Sequence, residues 1–293
     1  MPDMHLSLRN LPDDLRKSAE EIATAIGRSV PTVSQVYYLC STRSASEQWS
    51  CFPELEPSCT YDSLFSLLVL LDKEDEKPIE EIELELESIC QTRLQTINIL
   101  AVPLVQAYQL AKAGDRFYGR ICRKELLLFH DGLSPLPKAI APEHLNTWSA
   151  EDEYCWKSTY NQGKRFLQEA AQHLNQEAWE QTVLTLRQAN ACFLVSVLFS
   201  TTGCALPLHR RLEKLFSLTT LFTQQVMDIF PNYTDEEELL TALLFHTDKN
   251  ALAQLNLSQH IQAIHGLIKR ITQMQDIVQE LHTKMQLLAA ATP

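Results

Sequence analysis

Glycine is scarce in this chain. Its 293 residues include only seven glycines, and none lies between Gly27 and Gly114. Loops that bring backbone N–H groups close to a triphosphate depend on glycine, because a side chain would keep the phosphate away. The chain also lacks a P-loop, a G-x-S-x-G sequence and an H-E-x-x-H sequence. The common glycine-dependent nucleotide sites, the serine-hydrolase site and the zinc-protease site are therefore excluded.

Long hydrophobic runs and an excess of basic residues are also missing. The apolar run at 64–71 is far shorter than the roughly 20 residues that span a bilayer, and the N-terminus is polar. The net charge is -12, with 14 basic against 22 acidic residues in 1–146 and 11 against 15 in 147–293. We therefore expect a cytoplasmic protein that binds no membrane and contacts RNA only locally, if at all.

Paired cysteines are absent as well. The eight cysteines form no C-x-x-C pair, and several lie in apolar runs, as Cys192 does. This distribution is typical of buried free thiols in a reducing compartment and predicts neither a disulfide framework nor a metal site.

The first half of the chain alternates short strand patterns with helix patterns. A short helix is predicted at about 11–26, followed by strands and helices in the order expected of a small sheet domain. The predicted strands are 33–42, 64–71, 96–102 and 124–130, and the predicted helices are 78–93, 103–114 and a turn at 115–121.

The second half is helical throughout. A proline-rich segment at 131–144 separates it from the sheet domain, because proline disrupts helices and strands alike. In the first helix, apolar residues recur at steps of three and four, and Gly163 in this seam would let a neighbouring helix approach closely. We predict a second helix that is apolar on most faces, a third near Pro207, a fourth capped by Thr234 with Glu237, and a long closing helix at about 257–288.

These features give an α+β protein with three segments: a small mixed-sheet domain (1–130), a linker (131–147) and an all-α bundle with a long C-terminal helix (148–293). Residues 150–216, with their "LRQA" and "TGCALPLHRRL" sequences, resemble the HEPN helical bundle. Residues 61–132 resemble the nucleotidyltransferase-like domain that is fused to such bundles in a bacterial family. The resemblance implies a nucleotide-handling ancestry.

The sheet domain departs from the pattern that active nucleotidyltransferases share. The resemblance implies a glycine-serine turn after the first strand and an Asp-x-Asp pair for Mg²⁺, but the strand ends in "CSTRSASEQW" and Ser66 stands where the first aspartate would fall. The nearest spaced carboxylates are Asp72 and Glu74, in a charged run that is typical of a solvated loop. A magnesium cofactor is expected only if these two residues have taken over the metal role.

The bundle also departs from its family's pattern. Ribonucleolytic HEPN domains carry an Arg-x4-6-His motif, and here His209 is followed by basic residues but preceded by Thr202, Gly203 and Cys204 where the arginine would stand. Related toxin–antitoxin pairs place a modified tyrosine where this chain has Arg211. The resemblance therefore leaves His209, Arg210 and Arg211 as ligand-binding candidates, with His209 also a weak catalytic candidate.

Two functional hypotheses follow. The first is a non-catalytic protein that forms a homodimer through its bundle and binds a nucleotide, RNA or a protein partner. The second is an active nucleotidyltransferase that uses Asp72 and Glu74, or an HEPN ribonuclease that uses His209. The first is favoured, because the groups that would stabilise a reacting phosphate have been replaced while the core pattern remains.

Overall fold

The chain folds into two compact units, residues Met1–Thr147 and Trp148–Pro293. The structure is a computed structural model, and it describes residues 7–44, 47–50, 64–72, 77–90, 96–136, 148–204, 206, 211–230, 243–245 and 257–291. The first unit combines strands and helices, and every element described in the second is helical, so the predicted α+β class is confirmed.

The first unit contains a five-stranded mixed sheet. In chain order its elements are α1 (Asp13–Ser29), β1 (Val33–Ser44), β2 (Glu47–Ser50), β3 (Leu64–Leu71), α2 (Ile79–Cys90), β4 (Thr96–Pro103), α3 (Leu104–Lys112), α4 (Arg116–Ile121) and β5 (Leu127–His130). The long strand β1 pairs antiparallel with β3 on one side, and with both β2 and β5 on the other. β3 and β4 are parallel and are joined through α2 as a βαβ unit.

Both faces of the central strands are covered. All the residues of 33–41, 65–71 and 97–102 are buried, and successive side chains of a strand point to opposite faces. Helices α1 to α4 each contact the sheet. The near-continuous apolar sequence of β3 reflects this two-sided burial, as is usual for strands enclosed between helices.

The second unit is a helical bundle. Its described helices are α5 (Ala150–Asn175), α6 (Trp179–Thr202), α7 (Leu212–Thr220), α8 (Gln224–Ile229) and α9 (Ile261–Ala291). α5 begins at a capping box in which Ser149 and Asp152 each bond the other's backbone N–H. α6 packs against α5, α7 and α9, and it is the central helix of the described bundle.

α6 is long and apolar enough to cross a bilayer, and it is the one helix of the described residues with this property. However, 78% of its most apolar 18-residue window is buried inside the protein. Its composition is therefore accounted for by its central place in the bundle.

Several elements differ from the sequence prediction. The hairpin strand β2 and the short helix α8 were not predicted, and the strand predicted at 124–130 begins as a 3₁₀ turn at Lys124–Leu126. The predicted start of the third helix near Pro207 and the Thr234–Glu237 cap lie outside the described residues. The described part of that third helix begins at Leu212.

Gly163 allows α5 and α6 to pack closely, as its position in the apolar seam predicts. A Cβ atom on Gly163 would lie 2.8 Å from Cε1 of Phe193 and 3.0 Å from Cβ of Cys192. Both distances are shorter than a normal van der Waals contact, and the Cys192 Cβ is fixed to the α6 backbone.

We therefore expect Gly163→Ala to reduce the free energy of unfolding, because overpacking of a core usually costs about 1–3 kcal/mol. Replacing glycine also gains about 1 kcal/mol of helix propensity, which leaves a net reduction of up to about 2 kcal/mol. Urea denaturation of the full chain measures the change. Asn161→Ala, at an exposed site on the same helix, is the control, and equal stability of the two variants would contradict the close approach.

The outer edge of the sheet is closed by two glutamates of α2. Glu83 Oε1 accepts a hydrogen bond of 2.7 Å from the Ala101 N–H, and Glu87 Oε1 accepts one of 2.9 Å from the Ile99 N–H. These N–H groups belong to β4, whose other side pairs with β3. Glu83 is buried, so its carboxylate replaces the neighbouring strand that an edge would otherwise recruit.

We expect Glu83→Ala to lower the free energy of unfolding by about 1–3 kcal/mol, because it leaves a buried N–H without its acceptor. Glu83→Gln keeps an acceptor oxygen and should cost less. Glu85→Ala, which removes an exposed pair with Lys77, should change stability by less than about 1 kcal/mol. The claim fails if urea denaturation shows the same loss for Glu83→Ala and Glu85→Ala.

Candidate functional site

A row of small polar residues crosses the middle of the sheet where the family resemblance places metal-binding carboxylates. Ser66 on β3 pairs in register with Cys40 on β1 and with Asn98 on β4, so the three side chains share one face. All three are buried, and Ser66 is 0% exposed. Among the described residues the Ser66 hydroxyl has no hydrogen-bond partner. The row contains no carboxylate, so it cannot hold a magnesium ion as paired aspartates do.

β1 and β2 pair antiparallel in the segment where the family resemblance implies a phosphate-binding turn. β1 continues to Ser44 and pairs antiparallel with β2, from Cys40 opposite Ser50 to Ser44 opposite Glu47. Backbone N–H groups that bond a neighbouring strand are not available to a triphosphate. The described backbone on both sides of this turn is therefore committed to the sheet.

Asp72, one of the two candidate metal ligands, follows directly after β3. Its side chain is exposed, and its backbone N–H donates to the Thr32 carbonyl at 2.9 Å. Glu74 lies outside the described residues. Within the described part of the chain, no group of three His, Cys, Asp or Glu side chains is placed to hold a metal ion.

The residues at the end of α6 occupy the positions where the HEPN motif would have an arginine. Gly203 ends the helix with a left-handed backbone, at φ 81°, and its N–H donates to the Phe199 carbonyl. The Thr202 hydroxyl accepts from the Cys204 N–H at 3.1 Å. Thr202, Gly203 and Cys204 are all buried. A guanidinium at any of these positions would be removed from water without a described acidic partner, which is strongly unfavourable.

Of the three ligand-binding candidates, only Arg211 is described, since His209 and Arg210 lie outside the described residues. Arg211 is the residue before α7, and its Nε lies 3.9 Å from Oε2 of Glu213. Its side chain is 43% exposed, so it is accessible to a ligand. Asp72 belongs to the first unit and Arg211 to the second.

Two polar residues of α6, Arg187 and Asn190, were given no role from the sequence. Nε of Arg187 donates to the Leu243 carbonyl at 2.9 Å, and burial lowers the pKa of Arg187, while Glu213 on α7 opposes this shift. Asn190, one turn later, is 0% exposed, and its amide has no hydrogen-bond partner among the described residues. Polar residues in the otherwise apolar pattern of this helix are the signal that could have identified them.

Two of the described buried thiols are unsuited to nucleophilic chemistry. Cys40, Cys90, Cys122, Cys192 and Cys204 are free and buried, which confirms the predicted buried thiols, whereas Cys155 is exposed. Burial raises the pKa of Cys122 to about 12 and that of Cys192 to about 11. Both are therefore protonated at neutral pH, and the thiolate that attacks substrates or binds metals does not form.

Comparison with known proteins does not assign the chain to a family. No protein-family model, no curated protein and no solved structure matches it.

Proposed function

We propose that the protein is a non-catalytic binding or scaffold protein, built from a degenerate nucleotidyltransferase-like unit and an HEPN-type bundle. The observation that carries this proposal is the burial of both faces of β1, β3 and β4. An enzyme that transfers nucleotides needs an open face where a triphosphate and its metal meet the strand ends. Here residues 33–41, 65–71 and 97–102 are all buried, and Asp72, which follows β3, belongs to no group of His, Cys, Asp or Glu side chains among the described residues that could hold a metal ion.

The groups that the described sheet lacks, a metal-binding carboxylate pair and preorganised N–H donors, are those that stabilise the transition state of nucleotide transfer. A transferred phosphoryl group develops charge that metal ions and preorganised N–H donors stabilise, each contributing several kcal/mol. Ser66 and the hairpin of β1 and β2 supply neither. A filled sheet therefore favours a scaffold role for the first unit, with a protein partner as its ligand.

The second unit also lacks a complete catalytic set. Ribonucleolytic cleavage needs an acid or base beside the 2'-hydroxyl and a cation that stabilises the developing phosphorane charge. The positions that would supply the cation, Thr202 to Cys204, are buried and uncharged. His209, Arg210 and Arg211 are proposed to contact a phosphate or an acidic partner without cleaving it.

The proposal predicts no turnover by the full chain. Incubation with labelled ATP and Mg²⁺, or with total RNA, should give no transferred label and no cleavage above buffer. In calorimetric titrations, any ATP or short RNA that binds should bind at least about tenfold more weakly to Arg211→Ala, because a charge-assisted contact to phosphate contributes about 1.5–3 kcal/mol. Asp72→Ala should bind as the unaltered chain does.

If the protein is an enzyme, the same incubations should show transferred label or RNA cleavage. Turnover that disappears in Asp72→Ala would establish a nucleotidyltransferase with a rearranged metal site, and RNA cleavage that disappears in His209→Ala would establish a ribonuclease. Either result would overturn the proposal. No binding of any nucleotide or RNA would leave a protein scaffold as its remaining form.

The proposal includes a homodimer formed through the bundle. Most apolar side chains of α6 are buried within its own unit, so we place the interface on other helices. The exposed large apolar side chains of the described bundle are Tyr154 on α5 and Leu287 on α9, at 73% and 68% exposure. Exposed apolar groups on a long helix are the usual basis of helix pairing.

We expect light scattering after size exclusion to give about twice the 33.4 kDa chain mass. Leu287→Glu should shift the protein towards the monomer, because it places a charge in the apolar contact. Leu84→Glu alters an exposed leucine of the first unit and should leave the dimer intact. A monomeric unaltered chain at tens of micromolar would exclude the dimer.

A further inference from the structure

A buried histidine joins the C-terminal half of α9 to the first turns of α5. His282 is 3% exposed. Its ring stacks on Trp156 of α5, with 3.5 Å between centroids and 6° between planes, and it meets the edge of Trp148 at 5.0 Å. Trp148 in turn contacts Phe199 of α6. His282 is thus enclosed in an aromatic cage that three helices help to build.

One carboxylate faces the imidazole. Nε2 of His282 lies 3.1 Å from Oε2 of Glu153, within ion-pair distance although not aligned as a straight hydrogen bond. Glu153 also pairs with Lys157 at 3.0 Å and accepts a hydrogen bond from Gln286 at 2.7 Å. The carboxylate therefore already has two other partners, and the charged groups facing His282 are Glu153 and Lys157 of α5. Phe199, which α6 contributes behind Trp148, is uncharged.

The second ring nitrogen has no comparable partner. Nδ1 of His282 is buried and has no hydrogen-bond acceptor among the described residues. A neutral ring that carries its proton on Nε2 directs that N–H towards Glu153 and leaves Nδ1 without a proton. Protonation adds an N–H at Nδ1 in an apolar environment, and a buried donor without an acceptor costs about 1–3 kcal/mol. The cage therefore accepts the neutral imidazole better than the imidazolium.

We propose that His282 is a pH-sensitive latch, which holds residues 281–291 of α9 on the N-terminal turns of α5 when neutral and releases them when protonated. The released state exposes the aromatic cage and frees the end of the longest helix of the described chain. The latch operates within the bundle unit and does not depend on a nucleotide, RNA or catalytic function.

The direction of the pH effect follows from linkage. Burial lowers the pKa of His282 below 6.5, and the negative charge of Glu153 opposes this shift without reversing it. The open form, with its ordinary pKa, therefore binds the proton more tightly than the closed form. The latch contributes its full stabilisation above pH 6.5 and loses it as the pH falls through 6.5 towards the lower pKa of the closed form. The pKa of Glu153 is also lowered from 4.5, so this carboxylate stays charged over that range.

Hydrogen exchange of the full chain at pH 7.5 and pH 5.5, corrected for intrinsic exchange rates, tests the proposal. We expect the protection factors of peptides covering 149–157 and 281–291 to fall on acidification, by up to about tenfold, because pH 5.5 lies one unit below the pKa of 6.5 of the open form. His282→Gln cannot titrate, so its protection should not depend on pH. His265→Gln, at an exposed site on the same helix, should behave as the unaltered chain does.

Equal pH dependence in His282→Gln and the unaltered chain would overturn the latch, as would unchanged protection of the unaltered chain. If His282→Gln does not fold, an NMR titration of the unaltered chain decides the matter. A His282 pKa below 6.5, with loss of the Trp156 ring-current shift on protonation, supports the latch, and a pKa at or above 6.5 excludes it.

Discussion

The central strands of the sheet are enclosed between helices, and the rest of the first unit depends on this packing. β1, β3 and β4 carry apolar side chains on both faces, and these side chains account for much of the buried surface of the first unit. Burial of this kind is the main stabilising contribution in a small domain. It also bears on what the sheet can do, because a face filled by side chains leaves no room for a nucleotide. The stability of the sheet and the proposed loss of nucleotide binding therefore have the same origin.

Much of the sheet's backbone is paired within the first unit. β1 and β2 pair with each other, and Glu83 and Glu87 accept hydrogen bonds from the N–H groups of Ala101 and Ile99 on the side of β4 away from β3. The Ser66 hydroxyl is buried and has no partner among the described residues.

Much of the fold could be predicted from local patterns, because these patterns report burial directly. The limits of β3 and the close approach at Gly163 follow from an unbroken apolar run and from a glycine in an apolar seam. β2 was missed because "EQWS" is too short and polar for alternation to reveal a strand, and its pairing with β1 is a tertiary contact. Arg187 and His282 were missed for a related reason: a polar residue in an apolar helix indicates burial but does not identify its partners. Gly203 ends α6, whereas His209 and Arg210 lie outside the described residues.

Hydrogen exchange of the full chain with and without millimolar ATP and Mg²⁺ tests the central claim most directly. Protection of residues 40–44, 47–50, 64–71 and 96–103 should be unchanged by the nucleotide, because residues 33–41, 65–71 and 97–102 are buried on both faces of the sheet. Increased protection of these strands on addition of ATP and Mg²⁺ would show that the sheet still binds a nucleotide and would contradict the account.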